Sequence, residues 1–303
     1  MKRNIIALLN MKGGVGKTTL CKEIAYFLAN SYKLENSRKK VLVVDVDPQG
    51  NLTQSIFEKF NYKHHYESET DVNKDYKVCT ATISNVFEYK SIVEGVKIED
   101  FILTLNENLS IIPGDLNAVF FERSSGSSES ENALKNFIED FNIRDEYEYI
   151  FLDCPPTFSF YTTAALLASD FYVSPIHPDS YSILGIDLLF QVVDRLKAVY
   201  RDRFKALPLD HLGVLFSNIP RDASIQQGMK DMISDIRRSE VLKELKVHFF
   251  KEAFRVNASI PKKIDYFIAD SNSDYSYDNL RKIVKELESR INSFEIPVLK
   301  QEV

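Results

Sequence analysis

The sequence predicts an α/β fold: a doubly wound, mostly parallel sheet flanked by helices. Three observations predict it. Short runs rich in Val, Ile and Leu are apolar at nearly every position, as in strands covered on both faces. They alternate with longer stretches of helical period. A glycine-rich turn joins the first such run to the first helix.

The elements follow in chain order. Asn4 to Asn10 (NIIALLN) has the length and composition of a buried strand, and a helical pattern runs from Thr18 to Ser31. Val41 to Asp47 (VLVVDVD) is β-branched on both faces and reads as the second strand. From Glu58 to Cys79 the chain turns polar and aromatic-rich, longer than the usual connection, which predicts a surface excursion. RSSGSSESEN, Arg123 to Asn132, reads as a flexible segment, with Ser130 or a neighbour capping a helix through Phe141. A third strand, YIFLDCPP, begins at Tyr149. Apolar runs at Phe171 to Ile176, Leu212 to Ser217 and Val247 to Phe250 then alternate with helices near Thr162 to Ala168, Ile183 to Tyr200 and Ala223 to Arg238. The final helix, about Tyr277 to Ser293, carries Leu280, Ile283, Val284, Leu287 and Ile291 on one stripe that should dock on the sheet. No repeat or linker divides the chain, so residues 1–303 are expected to form a single domain with a polar excursion at about 58–79.

Composition narrows the function classes. A hydrophobic fraction of 44% and a charged fraction of 27% describe a folded chain. No apolar run of about eighteen residues exists to cross a bilayer. The start, MKRNIIALLN, is basic then apolar, but glycines and Lys17 interrupt it before an export core is complete, so a cytoplasmic protein is expected. Cys21, Cys79 and Cys154 are an odd number without paired spacing, which suggests neither a disulfide framework nor a structural zinc site. The net charge of −6 argues against a globally basic nucleic-acid coat but allows a local basic patch.

The strongest motif is MKGGVGKTT, Met11 to Thr19, set between a buried strand and the first turn of a helix. Glycines at 13, 14 and 16 let the backbone wrap close to an anion, with amide hydrogens inward and the helix start adding partial positive charge. Gly13, Gly14, Val15, Gly16, Lys17, Thr18 and Thr19 are therefore the candidate phosphate cradle. Lys17 would neutralise β and γ phosphate oxygens, and Thr18 would offer its hydroxyl to the Mg²⁺ that bridges them. Where the general pattern has its first glycine this chain has Met11, and a second lysine, Lys12, follows it.

In these residues the sequence resembles the ParA/MinD group of P-loop ATPases, whose deviant Walker A loop reads KGGxGKT, with Lys12 on the signature lysine. The resemblance implies two monomers closing face to face on two ATP molecules, each Lys12 reaching the phosphates held by the partner. Such a cation supplied in trans is worth roughly 10³ to 10⁵ in rate. It makes hydrolysis conditional on assembly.

DVDPQGN, Asp45 to Asn51, ends the second strand, where parallel strands deliver ligand-facing groups. Two aspartates sharing that end repel unless a metal or water network lies between them. By resemblance to the motif DxDPQGN, Asp47 would orient the attacking water and Asp45 would support the shell of Mg²⁺, with Pro48, Gln49 and Gly50 forming a switch. Asp153, closing YIFLD, matches the Walker B aspartate that holds Mg²⁺ through water. The likeness extends through NLSIIPGDLN (Asn108 to Asn117) and the stretch from Cys154 to Ile186, into Asn218 to Arg221. Asn218 and Pro220 follow the strand LGVLFS, where relatives recognise adenine, and the choice of ATP rests on this likeness.

Partition ATPases of this type bind DNA non-specifically and are released when a ParB-like DNA-binding adaptor stimulates hydrolysis. From Lys230 to the end, 14 Lys and Arg stand against 13 Asp and Glu, a net of +1, which leaves −7 for the preceding residues. Arg255, Lys262 and Lys263 fall where relatives place DNA-contacting arginines, near Lys251, and Arg281, Lys282, Lys285 and Arg290 line the last helix. Three rivals share the loop. A membrane-bound MinD-like ATPase needs a C-terminal basic amphipathic helix, and NSFEIPVLKQEV, broken by Pro297, offers none. A metal-cluster reductase needs cysteines around iron and sulfur. A tyrosine autokinase would use Tyr275 and Tyr277. The resulting expectation is a Mg²⁺-dependent ATPase that dimerises on ATP and partitions plasmid, phage or chromosomal DNA on the nucleoid. The alternative is a ParA-like positioning ATPase for a non-DNA cargo. No helix-turn-helix is expected before Asn4, and so no specific operator binding.

Overall fold

A computed structural model describes residues 2–31, 38–68, 75–89, 97–116, 128–221, 224–257, 259–260 and 262–294. Nine strands lie in it: β1 Ile5–Leu8, β2 Val41–Asp45, β3 Tyr62–His64, β4 Lys77–Cys79, β5 Leu103–Thr104, β6 Leu109–Ile112, β7 Tyr149–Asp153, β8 Phe171–Ile176 and β9 Asp210–Phe216. Seven form one sheet in the order β5-β6-β2-β7-β1-β8-β9, and β3 pairs with β4 separately. Within the large sheet only β5–β6 is antiparallel. The longer helices are α1 Lys17–Asn30, α2 Asn51–Phe60, α3 Ala133–Asp140, α4 Phe160–Ala168, α5 Ser182–Val199, α6 Gln227–Arg238 and α7 Asp274–Asn292.

Side-chain alternation sorts the core into two layers. Ile5 and Ala7 of β1, Leu42 and Val44 of β2, and Ile150 and Leu152 of β7 pack under α3, α4 and α5. Ile6 and Leu8, Val41 and Val43, and Phe151 face the other way, against α1 and α7. The final helix docks by the expected stripe: Leu280, Ile283, Val284, Leu287 and Ile291 are all buried. Because both faces are covered, β1, β2, β6 and β8 are buried at every position. β1 sits between β7 and β8, so loops leaving the carboxyl ends of β1, β2 and β7 converge on one rim.

Several expectations need correction. Val247 to Phe250 is not a strand; it meets β9 through an isolated bridge, Val214 to Phe249. α3 begins after Asn132 without a side-chain cap bond, and Ser130 lies inside a separate helical turn, Ser128–Glu131. The excursion is partly built into the protein: α2 continues to Phe60, β3 and β4 pair, and Cys79 packs with Phe57 and Ala81. Residues 69–74 of it, 123–127 of the Ser-rich stretch, residue 223 of the helix expected from Ala223, and 295–303 of the C-terminal stretch lie outside the described residues. β6, Leu109–Ile112, is a strand that the apolar pattern did not mark.

Candidate nucleotide site

The loop after β1 is held at both ends. The Leu9 amide donates to the Val173 carbonyl at 2.9 Å. Asn10 Nδ2 donates to the Pro175 carbonyl at 2.7 Å, while its Oδ1 accepts from the Lys12 amide at 2.8 Å. Gly14 and Gly16 have φ of 74° and 85°, left-handed values that glycine adopts without the Cβ penalty. α1 starts at Lys17 with Gly16 as N-cap and no side-chain cap bond, so its first amides face the loop without a protein acceptor from the cap. Ser217 Oγ donates to the Val15 carbonyl, and Asn218 Nδ2 donates to the Gly14 carbonyl at 3.0 Å.

The two lysines differ. Lys17 is buried, and its ammonium donates to the Lys12 carbonyl at 3.3 Å. Burial pushes its pKa down, opposed chiefly by the negative charge of Asp153. Lys12 points the other way: its side chain is 57% exposed and pairs with Asp179, which the ammonium holds below the usual carboxylate range. Thr18 and Thr19 are half-buried in the first turn of α1, and Val15 is buried beneath the loop.

All three candidate carboxylates are buried at the rim. Asp45 Oδ2 accepts from the Thr53 amide at 2.8 Å and the Thr53 hydroxyl at 2.7 Å; Oδ1 is buried without a partner. Burial raises its pKa to about 7, the Thr53 bonds opposing. Asp47 lies in the turn beyond the strand and accepts the Gln49 amide at 3.0 Å. Asp153, paired in register with Asp45, is fully buried; neither oxygen makes a hydrogen bond of good geometry among the described residues, although the neighbouring Thr18 hydroxyl favours its charged form. Burial, then the Asp45 charge, pushes its pKa well up. An orphaned carboxylate beside Lys17 and Thr18 fits a hydrated divalent cation. Among the described residues no group of three or more His, Cys, Asp and Glu is arranged to hold a metal ion. A cation here would need oxygens from a phosphate as well.

Sequence reasoning missed Thr53, Ser217, Gly114 and Asp179. Thr53 Oγ1 also accepts the Gly114 amide at 2.8 Å, so one buried hydroxyl joins β2, α2 and the loop after β6. A Cβ on Gly114 would come within 2.9 Å of Asp45 Cγ, which explains the glycine. The signal available was a threonine two residues beyond DVDPQGN and a glycine after IIP. Asn218 is placed against the loop backbone, Pro220 just beyond it is half-buried, and Lys262 and Lys263 are exposed. Arg255 is half-buried, with Nη1 donating to the Pro220 carbonyl at 3.0 Å. On α7, Arg281 and Lys282 pair with Asp278, and Arg290 Nε donates to the Leu212 carbonyl.

The three cysteines and Tyr277 are taken up in packing. Cys154, Cys21 and Cys79 are buried in three different hydrophobic clusters. Tyr277 bonds Ser31 and meets the Phe27 ring at a tilt, while Tyr275 is exposed beneath the Arg221 guanidinium. Among the described residues no helix is long and apolar enough to cross a membrane.

A parallel sheet whose first strand runs into a glycine loop, a buried lysine and a helix start, with a carboxylate ending the neighbouring strand, defines a P-loop nucleotide-binding protein. A family model described as an AAA domain matches residues 3–206. The chain is 28% identical over 291 residues to a virulence plasmid ParA family protein of Chlamydia psittaci, covering 96% of each. It is 33% identical over 192 residues to the sporulation initiation inhibitor protein Soj of Bacillus subtilis, covering 62% of this chain and 64% of Soj. A crystal structure of a putative plasmid partition protein from Borrelia burgdorferi, bound to AMPPNP, superposes with a TM-score of 0.65 at 22% identity, covering 94% of this chain and all of that one. The chain belongs to this AAA-domain family and, within it, to the ParA-type P-loop ATPases.

Proposed function

We propose that the chain binds Mg²⁺·ATP in the loop at 11–19, hydrolyses it as a face-to-face dimer, and works as a spatial switch in partitioning plasmid, phage or chromosomal DNA. The observation that carries the reading is the division of labour between the two loop lysines. Lys17 is buried inside its own cradle, while Lys12 is exposed on the rim, outside it.

Lys17 and the loop amides would hold the phosphates, Thr18 would offer its hydroxyl to the cation, and Asp153 would hold the cation's water shell. The cation supplies charge neutralisation across the β and γ phosphates when bound. Asp47 orients the attacking water, and its turn is preset by the Gln49 amide. Asp45 would support the same water shell, and its Oδ2 anchors Thr53 and so fixes the start of α2. Lys12 acts on the partner's phosphates. Its present bond to Asp179 is an exposed ion pair, of the kind worth about 0–1 kcal/mol, so little opposes the exchange. The turn at Ser217 to Pro220, which touches the loop backbone, would border the base, with Asn218 and Pro220 the candidate contacts.

The DNA platform is the exposed pair Lys262 and Lys263, with exposed Lys251 earlier in the same segment, suited to phosphate contacts without sequence reading. A ParB-like adaptor would stimulate hydrolysis and release the protein from the nucleoid. The reading is tested by equilibrium binding of a fluorescent ATP analogue. The wild-type chain should bind it in a Mg²⁺-dependent way and Lys17→Ala should not; equal binding by both would reject the cradle.

A further inference from the structure

We propose that Arg255 is a positioning residue for the nucleotide turn at 217–220, and that its guanidinium serves the ATP site rather than DNA. The inference rests on the reading above that this turn borders the nucleotide.

The turn is a short piece of strained backbone with work on both sides. Asn218 has φ of 56°, a left-handed conformation that an asparagine tolerates better than most residues but does not favour. In that conformation its amide reaches the Gly14 carbonyl at 3.0 Å, while Ser217 reaches the Val15 carbonyl. Two carbonyls of the phosphate loop are thus held from this turn. Such strain persists only where the surroundings over-determine it.

The surroundings are the segment 253–257. The Phe254 amide donates to the Phe216 carbonyl at 2.7 Å, the Ile219 amide to the Phe254 carbonyl at 3.3 Å, and the Val256 amide to the Ile219 carbonyl at 2.8 Å. The backbone pairing here is the isolated parallel bridge of Ile219 with Arg255, and no further bond of this pairing follows among the described residues. Arg255 supplies the next restraint with its side chain. Nη1 donates to the Pro220 carbonyl at 3.0 Å, one residue past the last backbone bond. The arginine is itself seated from behind: its amide donates to Asn279 Oδ1 at 3.1 Å, and Asn279, buried on α7, also donates to the Ala253 carbonyl at 2.9 Å. The chain of contacts runs from α7 through Arg255 and the turn to the backbone of Gly14 and Val15. A side chain directed at Pro220 differs from Lys262 and Lys263, which are exposed.

The experiment is equilibrium ATP and ADP binding to the full chain, without DNA, for the wild type, Arg255→Ala and Arg255→Lys, with thermal unfolding of each nucleotide-free protein as control. Loss of one charge-assisted bond from the turn should weaken both nucleotides about tenfold in Arg255→Ala. Arg255→Lys, which keeps a donor on a long stem, should recover most of the affinity. The unfolding midpoints should lie close together, since a general loss of fold would move them. At saturating ATP, Arg255→Ala should be retained on DNA as the wild type is. Wild-type nucleotide affinity in Arg255→Ala would overturn the proposal, as would DNA retention lost at saturating ATP with affinity unchanged. A wild-type chain that binds no nucleotide would refute the underlying reading instead, and with it this inference.

Discussion

Replacing Thr53 with valine tests how the segment after β2 is fastened. The substitution keeps the branched shape and removes one hydroxyl that makes two bonds, to Asp45 Oδ2 at 2.7 Å and from the Gly114 amide at 2.8 Å. Thr53 is 2% exposed, so water does not replace either bond. A hydrogen bond to a charged group contributes about 1.5–3 kcal/mol, and a stranded buried amide costs about 1–3 kcal/mol more. The Asp45 carboxyl keeps the Thr53 amide at 2.8 Å, and with its pKa raised to about 7 it is only partly charged near neutrality. Both facts trim the sum, to about 3 kcal/mol of lost stability. The chain has no tryptophan, so urea unfolding is followed by far-UV circular dichroism. Thr53→Ser, which keeps the hydroxyl, should lose about 1 kcal/mol or less for its missing methyl. Thr53→Val within about 0.5 kcal/mol of the wild type, the range of an ordinary surface change, would refute the reasoning.

Two further outcomes follow from other parts of the fold. Burial raises the Glu23 carboxyl from 4.5 to about 7, against the pull of Lys22. The native state therefore holds a proton that the unfolded chain has released; this contribution is full below about pH 4.5 and is lost as pH rises through about 7. Glu23→Gln keeps an acceptor for the Ile268 amide, so between about pH 5 and 8 its urea midpoint should fall less than that of the wild type; parallel profiles would exclude Glu23 as a source. Reversing charge in a Lys262→Glu, Lys263→Glu double variant should abolish salt-sensitive retention on DNA and leave ATP affinity unchanged, and undiminished retention in a filter-binding assay would reject that pair.

The parts of the fold legible in the sequence were those set by long, strongly patterned segments. The apolar runs of β1, β2, β7 and β8 and the stripe on α7 are buried as their patterns require. The loop at 11–19 was legible because a glycine loop with a lysine between strand and helix has few other uses. The failures share a cause, in that tertiary contacts decided them. Val247 to Phe250 is apolar because Phe250 fills the core beside β9, and strand pairing there is limited to one bridge. His64 and Cys79 are buried inside a segment whose composition suggested only surface. Arg255 looks like a surface cation in sequence, and only the fold puts the Pro220 carbonyl within its reach. Thr53 and Gly114 are distant in sequence, so nothing local announces that they share Asp45.

The most direct test of the account is complementation between two inactive chains. Lys12→Ala keeps Asp47 but cannot reach a partner's phosphates; Asp47→Ala keeps Lys12 but cannot orient water in its own site. Each alone should hydrolyse ATP at background rates. Mixed in equal amounts before ATP is added, half the dimers pair one chain of each kind, and one of their two sites is whole, so about a quarter of wild-type activity should return if Lys12 acts across the interface. Activity that stays at background on mixing, from two variants that each bind ATP, would contradict the trans role of Lys12.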